Sequence, residues 1–246
     1  MENLLLRRRN LLEKQEVGNI RAVCFEADGE QTVELTRVGF GPTDIKLQYS
    51  YDGVTWETWN KKKLSFGGNT KVYVRGVKNE SFASYFEEYN KFTFGTDAYV
   101  HVSGIVESLL DGENEVLSLN NSYALLGLFY GQTALRDAEG LKFEALSIDA
   151  NASYVFYKMF YRCTNLLTAP ELFATTLAPR CYNQMFSNCN SLNTIRCHAK
   201  VKATDSTYLW LEGTASSGTF YGHSAYNWLN NASGIPKGWT FVELTD

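Results

Sequence analysis

The sequence contains no hydrophobic run long enough to cross a membrane. A spanning helix takes about 20 apolar residues, and nothing in the 246-residue chain approaches that length. The opening residues do not read as a secretory leader for the same reason. The opening residues, MENLLLRRRNLLEKQE, hold apolar runs of three and two, split by Arg7, Arg8 and Arg9, where a leader core needs roughly 7–15. With Met1 in place, this predicts a chain that does not leave by the general secretory route. Histidine is scarce: His101, His198 and His223 are the only three, and none sits in H-E-x-x-H or another metal-ligand spacing. Cys197 and His198 are adjacent, so in an extended segment they point to opposite faces. The five cysteines (Cys24, Cys163, Cys181, Cys189, Cys197) show no C-x-x-C spacing and signal no zinc site. There is no G-x-S-x-G elbow, no Walker loop and no Rossmann glycine pattern; Gly127, Gly131 and Gly140 read as scattered. These absences predict a protein without catalytic residues, metal or cofactor.

What is present describes an ordered chain. Hydrophobic residues make up 44% and charged residues 20%, enough to bury a real core. Net charge is −4, which argues against a nucleic-acid-binding body. Aromatics reach 14%, with 15 Tyr, 15 Phe and 5 Trp. That loading favours β-structure and supplies recognition surfaces.

Residues 1–18 read equally as a docking arm or as a frayed terminus. LLLRRRNLLEK makes an amphipathic helix with Leu4, Leu5, Leu11 and Leu12 clustered and Arg7, Arg8 and Arg9 beside them. Residues 20–100 read as short strands between turn signals: 22–27, 32–40, 45–51, 54–60, 63–66 and 71–77. Asp28-Gly29 and Asp52-Gly53 carry the composition of hairpin turns, and the strand spacing suggests an antiparallel sandwich. Val72 and Val74 face one way, Lys71, Tyr73 and Arg75 the other. Trp56 and Trp59 fall on opposite faces, one for the core and one for a sugar ring or a partner. SYDGVTW (50–56) is one residue short of the S-x-D-x-G-x-T-W turn of sialidases, which is itself structural. Glycoside hydrolysis needs two carboxylates held across a cleft, and no such pair is signalled, so a carbohydrate-active enzyme is only a minor alternative. DGENE (111–115) lacks a full calcium-loop frame and reads as a turn.

The second half is periodic. MFYRCTNL (159–166) recurs as MFSNCNSL (185–192), 26 residues later, and a degraded copy, LFYGQTAL (128–135), lies 31 residues before Met159. Met159, Phe160, Cys163 and Leu166 fall on Met185, Phe186, Cys189 and Leu192. A period of this length marks stacked repeats, because one unit cannot bury its apolar side alone. The segment before each Met-Phe predicts a short helical turn, and the Leu after the Cys leads into an extended piece. That is the plan of a leucine-rich repeat. Equivalent positions make Cys163 and Cys189 a ladder of small buried hydrophobes, not a disulfide.

The phrase ELFATTLAPRCYNQMFSNCNSL (171–192) resembles the BspA-type leucine-rich repeats. GTASSGTFYGHSAYNWLNNASGIPKGWTF (213–241) is similar to the cap that ends such arrays. The stretch from DGEQTVELTRVG to KVYVRG resembles the β-module that precedes them in proteins of gut Bacteroidales and their phages. The expected fold is therefore mixed α+β, with an N-terminal antiparallel β-sandwich followed by a short leucine-rich-repeat solenoid with a C-terminal cap. Its divisions are an arm at 1–18, a sandwich at 19–108, repeats at 109–198 and a cap at 199–246. The resemblance implies a non-enzymatic structural or adhesive protein. It is read first as a phage virion accessory (capsid, tail or fibre) that binds a host-cell or mucosal protein or glycan, and second as a bacterial cell-surface adhesin. The expected partners are other virion or surface proteins through the arm, and a host-surface protein or glycan on the displayed face. Neither nucleic acid nor membrane insertion is expected, and a homo-oligomer is left open.

Overall fold

A computed structural model describes residues 20–116, 118–145, 147–201 and 203–245. The expected docking residues, Leu4, Leu5, Arg7, Arg8, Arg9, Leu11 and Leu12, lie outside the described residues.

The first half is built from nine strands: β1 (Val23–Ala27), β2 (Gln31–Val38), β3 (Leu47–Ser50), β4 (Glu57–Thr58), β5 (Leu64–Phe66), β6 (Val72–Gly76), β7 (Ala83–Tyr85), β8 (Glu88–Phe94) and β9 (Val100–Ile105). They form two antiparallel sheets. One runs β9-β1-β6-β3-β4, the other β5-β2-β8-β7. Alternation decides which side faces in: along β6, Val72 and Val74 are buried while Tyr73 and Arg75 are not. Between the sheets Phe25 meets Phe92 and Phe94 edge-on, with centroids 5.1 and 5.3 Å apart.

Asp28-Gly29 does not make the expected hairpin. β1 pairs with β6 and β9, and β2 with β5 and β8, so residues 28–30 carry the chain from one sheet to the other. Long-range pairing that buries Phe25 and Val33 on facing layers overrides the local turn signal. Around Asp52-Gly53 β3 and β4 do pair. The loop is wound by Asp52, whose Oδ1 accepts from Val54 N, Thr55 N and the Ser50 hydroxyl at 2.7–2.8 Å. That winding shortens the strand expected over 54–60 to two residues. The donors hold the Asp52 carboxyl well below the usual carboxylate range.

The second half corrects the expected mixed α+β class. The molecule is β-rich, and its only helical segments among the described residues are two 3-10 turns, Val106–Leu109 and Ser224–Tyr226. Where helical turns were expected, the chain runs in overlapping four-residue turns. In 154–163, the N–H groups of Tyr157, Met159, Tyr161 and Cys163 donate to carbonyls three residues back. Those of Phe156, Lys158, Phe160 and Arg162 donate to Cys181, Asn183, Met185 and Ser187 of the next coil. Every second N–H closes a turn and every other one bridges coils, so the backbone is satisfied without i→i−4 bonds. The winding needs positive φ at every fourth residue: Tyr154, Lys158 and Arg162, then Arg180, Gln184 and Asn188.

The same rule runs through 123–132 and 205–214, giving four such coils among the described residues. Tyr123, Gly127 and Gly131 donate to Ser153, Tyr157 and Tyr161, each the residue before the one a 31-residue step away. The coil at 205–214 sits inside the segment expected to be cap. Short strands flank the coils: β10 (Ser118–Leu119), β11 (Leu135–Asp137), β12 (Leu141–Lys142), β13 (Ser147–Ile148), β14 (Thr194–Cys197), β15 (Gly218–Gly222) and β16 (Trp239–Glu243). β10 pairs with β13, and β14-β15-β16 form one sheet, all parallel. β11 and β12 pair with β9 in parallel, so the first sheet of the sandwich continues into the coils. One hydrophobic cluster spans both halves, from Val23 to Trp239.

The matched repeat residues are the packing of this stack. Phe129, Phe160 and Phe186 lie 5.3 Å apart with planes within 18°, close to the spacing of neighbouring strands. All five cysteines are free and buried. Cys163 Sγ donates to Phe129 O and Cys189 Sγ to Phe160 O, both at 3.0 Å. Burial pushes the Cys24, Cys163 and Cys197 thiols up to about 12, which makes them poor nucleophiles. Cys163→Ala and Cys189→Ala should each cost about 1–2 kcal/mol from lost core volume, measured by denaturant unfolding. Reducing agent should leave the melting temperature unchanged; a drop of many degrees would refute the free-thiol ladder.

Candidate functional site: a tyrosine and cation face on the coils

The turn geometry that buries Phe156, Met159, Phe160 and Cys163 leaves Tyr154, Tyr157, Lys158, Tyr161 and Arg162 on the outer face. Stacking repeats them. Tyr123 lies on Tyr154 at 5.5 Å and 12°, and Tyr130 on Tyr161 at 5.0 Å and 27°. The segment after β7 adds a wedge. Phe86 stands edge-on to Tyr123, Tyr154 and Tyr157 at 4.5–5.4 Å. Beside it Tyr85 is 54% exposed and 5.9 Å from Tyr123. The sandwich and the coils thus share one aromatic surface.

Cations are threaded through it. Lys158 Nζ lies 4.9 Å from the Tyr157 ring and 5.2 Å from the Tyr161 ring. Arg162 sits over Tyr161 at 5.3 Å, and Arg180 over Tyr154 at 5.4 Å. Arg180 also faces Asp205 at 3.7 Å. Burial raises the Tyr123 and Tyr154 phenols above their ordinary value, so at neutral pH they stay protonated hydrogen-bond donors. Ring faces are largely taken by neighbouring rings and cations. The surface therefore offers hydroxyl edges, ammonium and guanidinium groups, the makings of a polar recognition face.

Sequence reasoning named no residue of this face; Tyr85 and Phe86 reach it only through the fold. The ladder tyrosines left a signal: Tyr123 and Tyr154, like Tyr130 and Tyr161, are separated by the 31-residue step of the core. Trp56 and Trp59 do fall on different sides, but both are half-buried. Trp56 lies under the Arg75 guanidinium at 4.1 Å; Trp59 packs toward Phe92. His198 Nε2 pairs with Glu171 Oε1 at 2.7 Å and its ring stacks on Phe173, while His101 pairs with Asp28 at 2.9 Å. DGENE is a turn in which Asp111 accepts from Glu113 N, Asn114 N and Asn114 Nδ2. No group of three or more His, Cys, Asp or Glu that could hold a metal occurs among the described residues, and no helix among them is long and apolar enough to cross a membrane.

Fold and face together define a β-rich protein with an aromatic, cation-lined surface on stacked turn coils. No protein-family model, curated protein or solved structure matches the chain.

Proposed function

We propose that this chain is a non-enzymatic display protein of the BspA-like leucine-rich repeat kind, carried on a phage virion as an adhesive accessory. The repeat block is the solenoid of coils at 123–214, and the outer tyrosine and cation face is its binding surface for a host-cell or mucosal protein or glycan. The observation that carries the reading is the composition of that face. The positions between the matched core residues, which packing leaves free to vary, hold Tyr154, Tyr157, Lys158, Tyr161 and Arg162. Tyrosine and arginine are the residues that dominate recognition surfaces. The backbone bonds between coils at the sequence repeat step support the repeat assignment. The second reading, a bacterial cell-surface adhesin, uses the same face in a different location. The arm at 1–18 is the proposed attachment point to other virion or surface proteins.

Peptide mass spectrometry of purified virions should find the chain as a structural component. Its recovery from bacterial envelopes free of particles would replace the virion with the adhesin. Tyr85→Ser, Lys158→Ser and Arg162→Ser combined should keep the melting temperature and weaken retention on mucin-coated and host-cell surfaces about 10-fold or more. Undiminished retention would remove the coil face as the binding surface.

A further inference from the structure

Each coil hands its spare N–H groups to the next. Arg180, Tyr182, Gln184, Phe186 and Asn188 donate to the carbonyls of Thr204, Ser206, Tyr208, Trp210 and Glu212. Donors and acceptors both fall on alternate residues. In the coil at 205–214 the positions that would donate onward are Asp205, Thr207, Leu209, Leu211 and Gly213. The positive φ of Asp205, Leu209 and Gly213 repeats that of Arg180, Gln184 and Asn188. Ser206, Tyr208, Trp210 and Glu212 close the same three-residue turns. The five onward N–H groups therefore point out of the stack, away from the coil at 180–188. Leu209 finds an acceptor there, Ala232 O at 2.7 Å. Asp205, Thr207, Leu211 and Gly213 find none among the described residues. Thr207 is only 2% exposed, and an unpaired N–H at such a position is costly.

The segment over this coil explains the gap. Ala232, Ser233 and Gly234 lay consecutive carbonyls on Leu209 N, Thr207 Oγ1 and Trp210 Nε1, each at 2.7 Å. A coil would offer alternate carbonyls to backbone N–H groups alone, so the segment covers Leu209 and then departs from the register. Just before it the chain turns aside, with Asn227 at φ 57 and the N–H groups of Asn231 and Ile235 both on Leu229 O. The space left between is a cleft of about 420 Å³, with Asp205 and Thr207 on the coil side and Trp228, Leu229 and Asn231 opposite. The Thr207 hydroxyl is already held by Ser233 O, which leaves the two N–H groups as the open donors. Asp205 is the one charged residue that borders the cleft among the described residues, and its carboxylate lies 3.7 Å from Arg180. An anion there would meet a carboxylate and no bordering cation. What the two donors lack is what every inner coil receives: carbonyls of alternate residues on one chain. We propose that the cleft binds a short peptide segment, whose alternate main-chain carbonyls accept from Asp205 N and Thr207 N and lengthen the stack by part of a coil. Affinity comes from the main chain, as when a strand is added to a sheet edge. The site shares no donor with the tyrosine and cation face and stands whether or not that face binds.

The test follows the backbone amide signals of the full chain by ¹⁵N NMR and hydrogen exchange. The probes are N-acetyl-Ala-Ser-Gly-amide, which copies the sequence of residues 232–234, N-acetyl-triglycine-amide, inorganic phosphate and lactose. In the free chain the Thr207 amide should exchange at least about 10-fold faster than that of Leu209, which already has its acceptor. At least one capped peptide should shift the Asp205 and Thr207 signals saturably and slow Thr207 exchange about 10-fold, with Leu209 unchanged. Phosphate and lactose should do neither. A Thr207 amide as protected as Leu209 in the free chain would mean that its N–H is not open, and overturns the site. So do Asp205 and Thr207 signals that neither peptide moves. A stronger response to phosphate or to lactose replaces the peptide with an anion or a sugar. Peptide shifts at Tyr157 and Tyr161 with Asp205 and Thr207 silent end this inference and leave the coil-face reading standing. Shifts at Asp205 and Thr207 with mucin retention undiminished in the coil-face variant do the reverse.

Discussion

Phe160→Ala is expected to lower the free energy of unfolding by about 3–5 kcal/mol. The ring is fully buried and stacks on Phe129 and Phe186 at 5.3 Å on either side. A cavity at this site has little freedom to collapse, because its walls are backbones tied to each other. Phe160 N donates to Met185 O, and Phe160 O accepts from Cys163 N and from Cys189 Sγ. Costs rise with the cavity that remains. The loss should not stay in the coils. Phe129 also meets Phe25, Phe92 and Phe94 of the sandwich at 5.9–6.4 Å, and Phe92 N donates to Leu128 O. Guanidinium unfolding followed by fluorescence and by far-UV dichroism should therefore show one coincident transition moved to lower denaturant. A cost below about 1.5 kcal/mol, more typical of a well-tolerated core swap, would contradict the rigid stack. Two separated transitions would contradict the shared core.

The repeat was legible because its packing residues are chemically distinctive. Met, Phe, Cys and Leu recur where the coils need one large ring, one flexible filler and one small thiol, and the 31- and 26-residue steps reappear between the positive-φ residues Tyr123, Tyr154 and Arg180. The winding of the coils was not legible. It depends on positive φ at every fourth residue, and the residues there include Tyr154, Lys158, Arg180, Gln184 and Leu209, none of which favours that conformation. Only Gly127, Gly131, Gly213, Asn188 and Asp205 hint at it, and in isolation those glycines look scattered. A non-glycine residue there gives up roughly 1 kcal/mol; the bond from its N–H to the next coil compensates, and no local window of sequence contains that partner. The coil at 205–214 was hidden for a different reason. Trp210, Leu211 and Thr214 take the places of Met185, Phe186 and Cys189 in the backbone register, so the space is filled but the letters are lost.

The site divides along the same line. Its tyrosines share the core's period, a signal present in the sequence but not read from it, whereas the Phe86 wedge depends on the placement of β7. Asp28-Gly29 is the clearest case of local chemistry overruled. A strong hairpin signal was spent on changing sheets, because β1 finds its partners 47 or more residues away, with Val23 opposite Val74 and Gly104.

That last pairing marks the joint between the two halves, and Gly104→Ala is expected to cost about 3 kcal/mol or more. Gly104 has φ +92, and an added Cβ would stand 2.1 Å from Ala22 O. Ala22 O is not free to move, since it accepts the Ile105 N–H at 2.9 Å. On the other side Gly104 donates to Gly140 O and pairs with Leu141 of β12. One residue thus holds antiparallel β1 and parallel β12 to the same strand, and its twist turns the sandwich into the coil stack. The strain has no local outlet, so the substitution should push β12 away or unseat β1. Gly131→Ala is the control. Gly131 also has positive φ, +72, but a Cβ there meets nothing within 4 Å. The equivalent coil positions already hold Arg162 and Asn188 at φ 60 and 61. It should cost about 1 kcal/mol, the conformational term alone. The two variants share the backbone penalty and differ in the clash, so their difference in denaturation midpoint isolates the joint. Equal costs would mean that Gly104 is merely one more left-handed residue, and that the two halves are held together elsewhere in their common core.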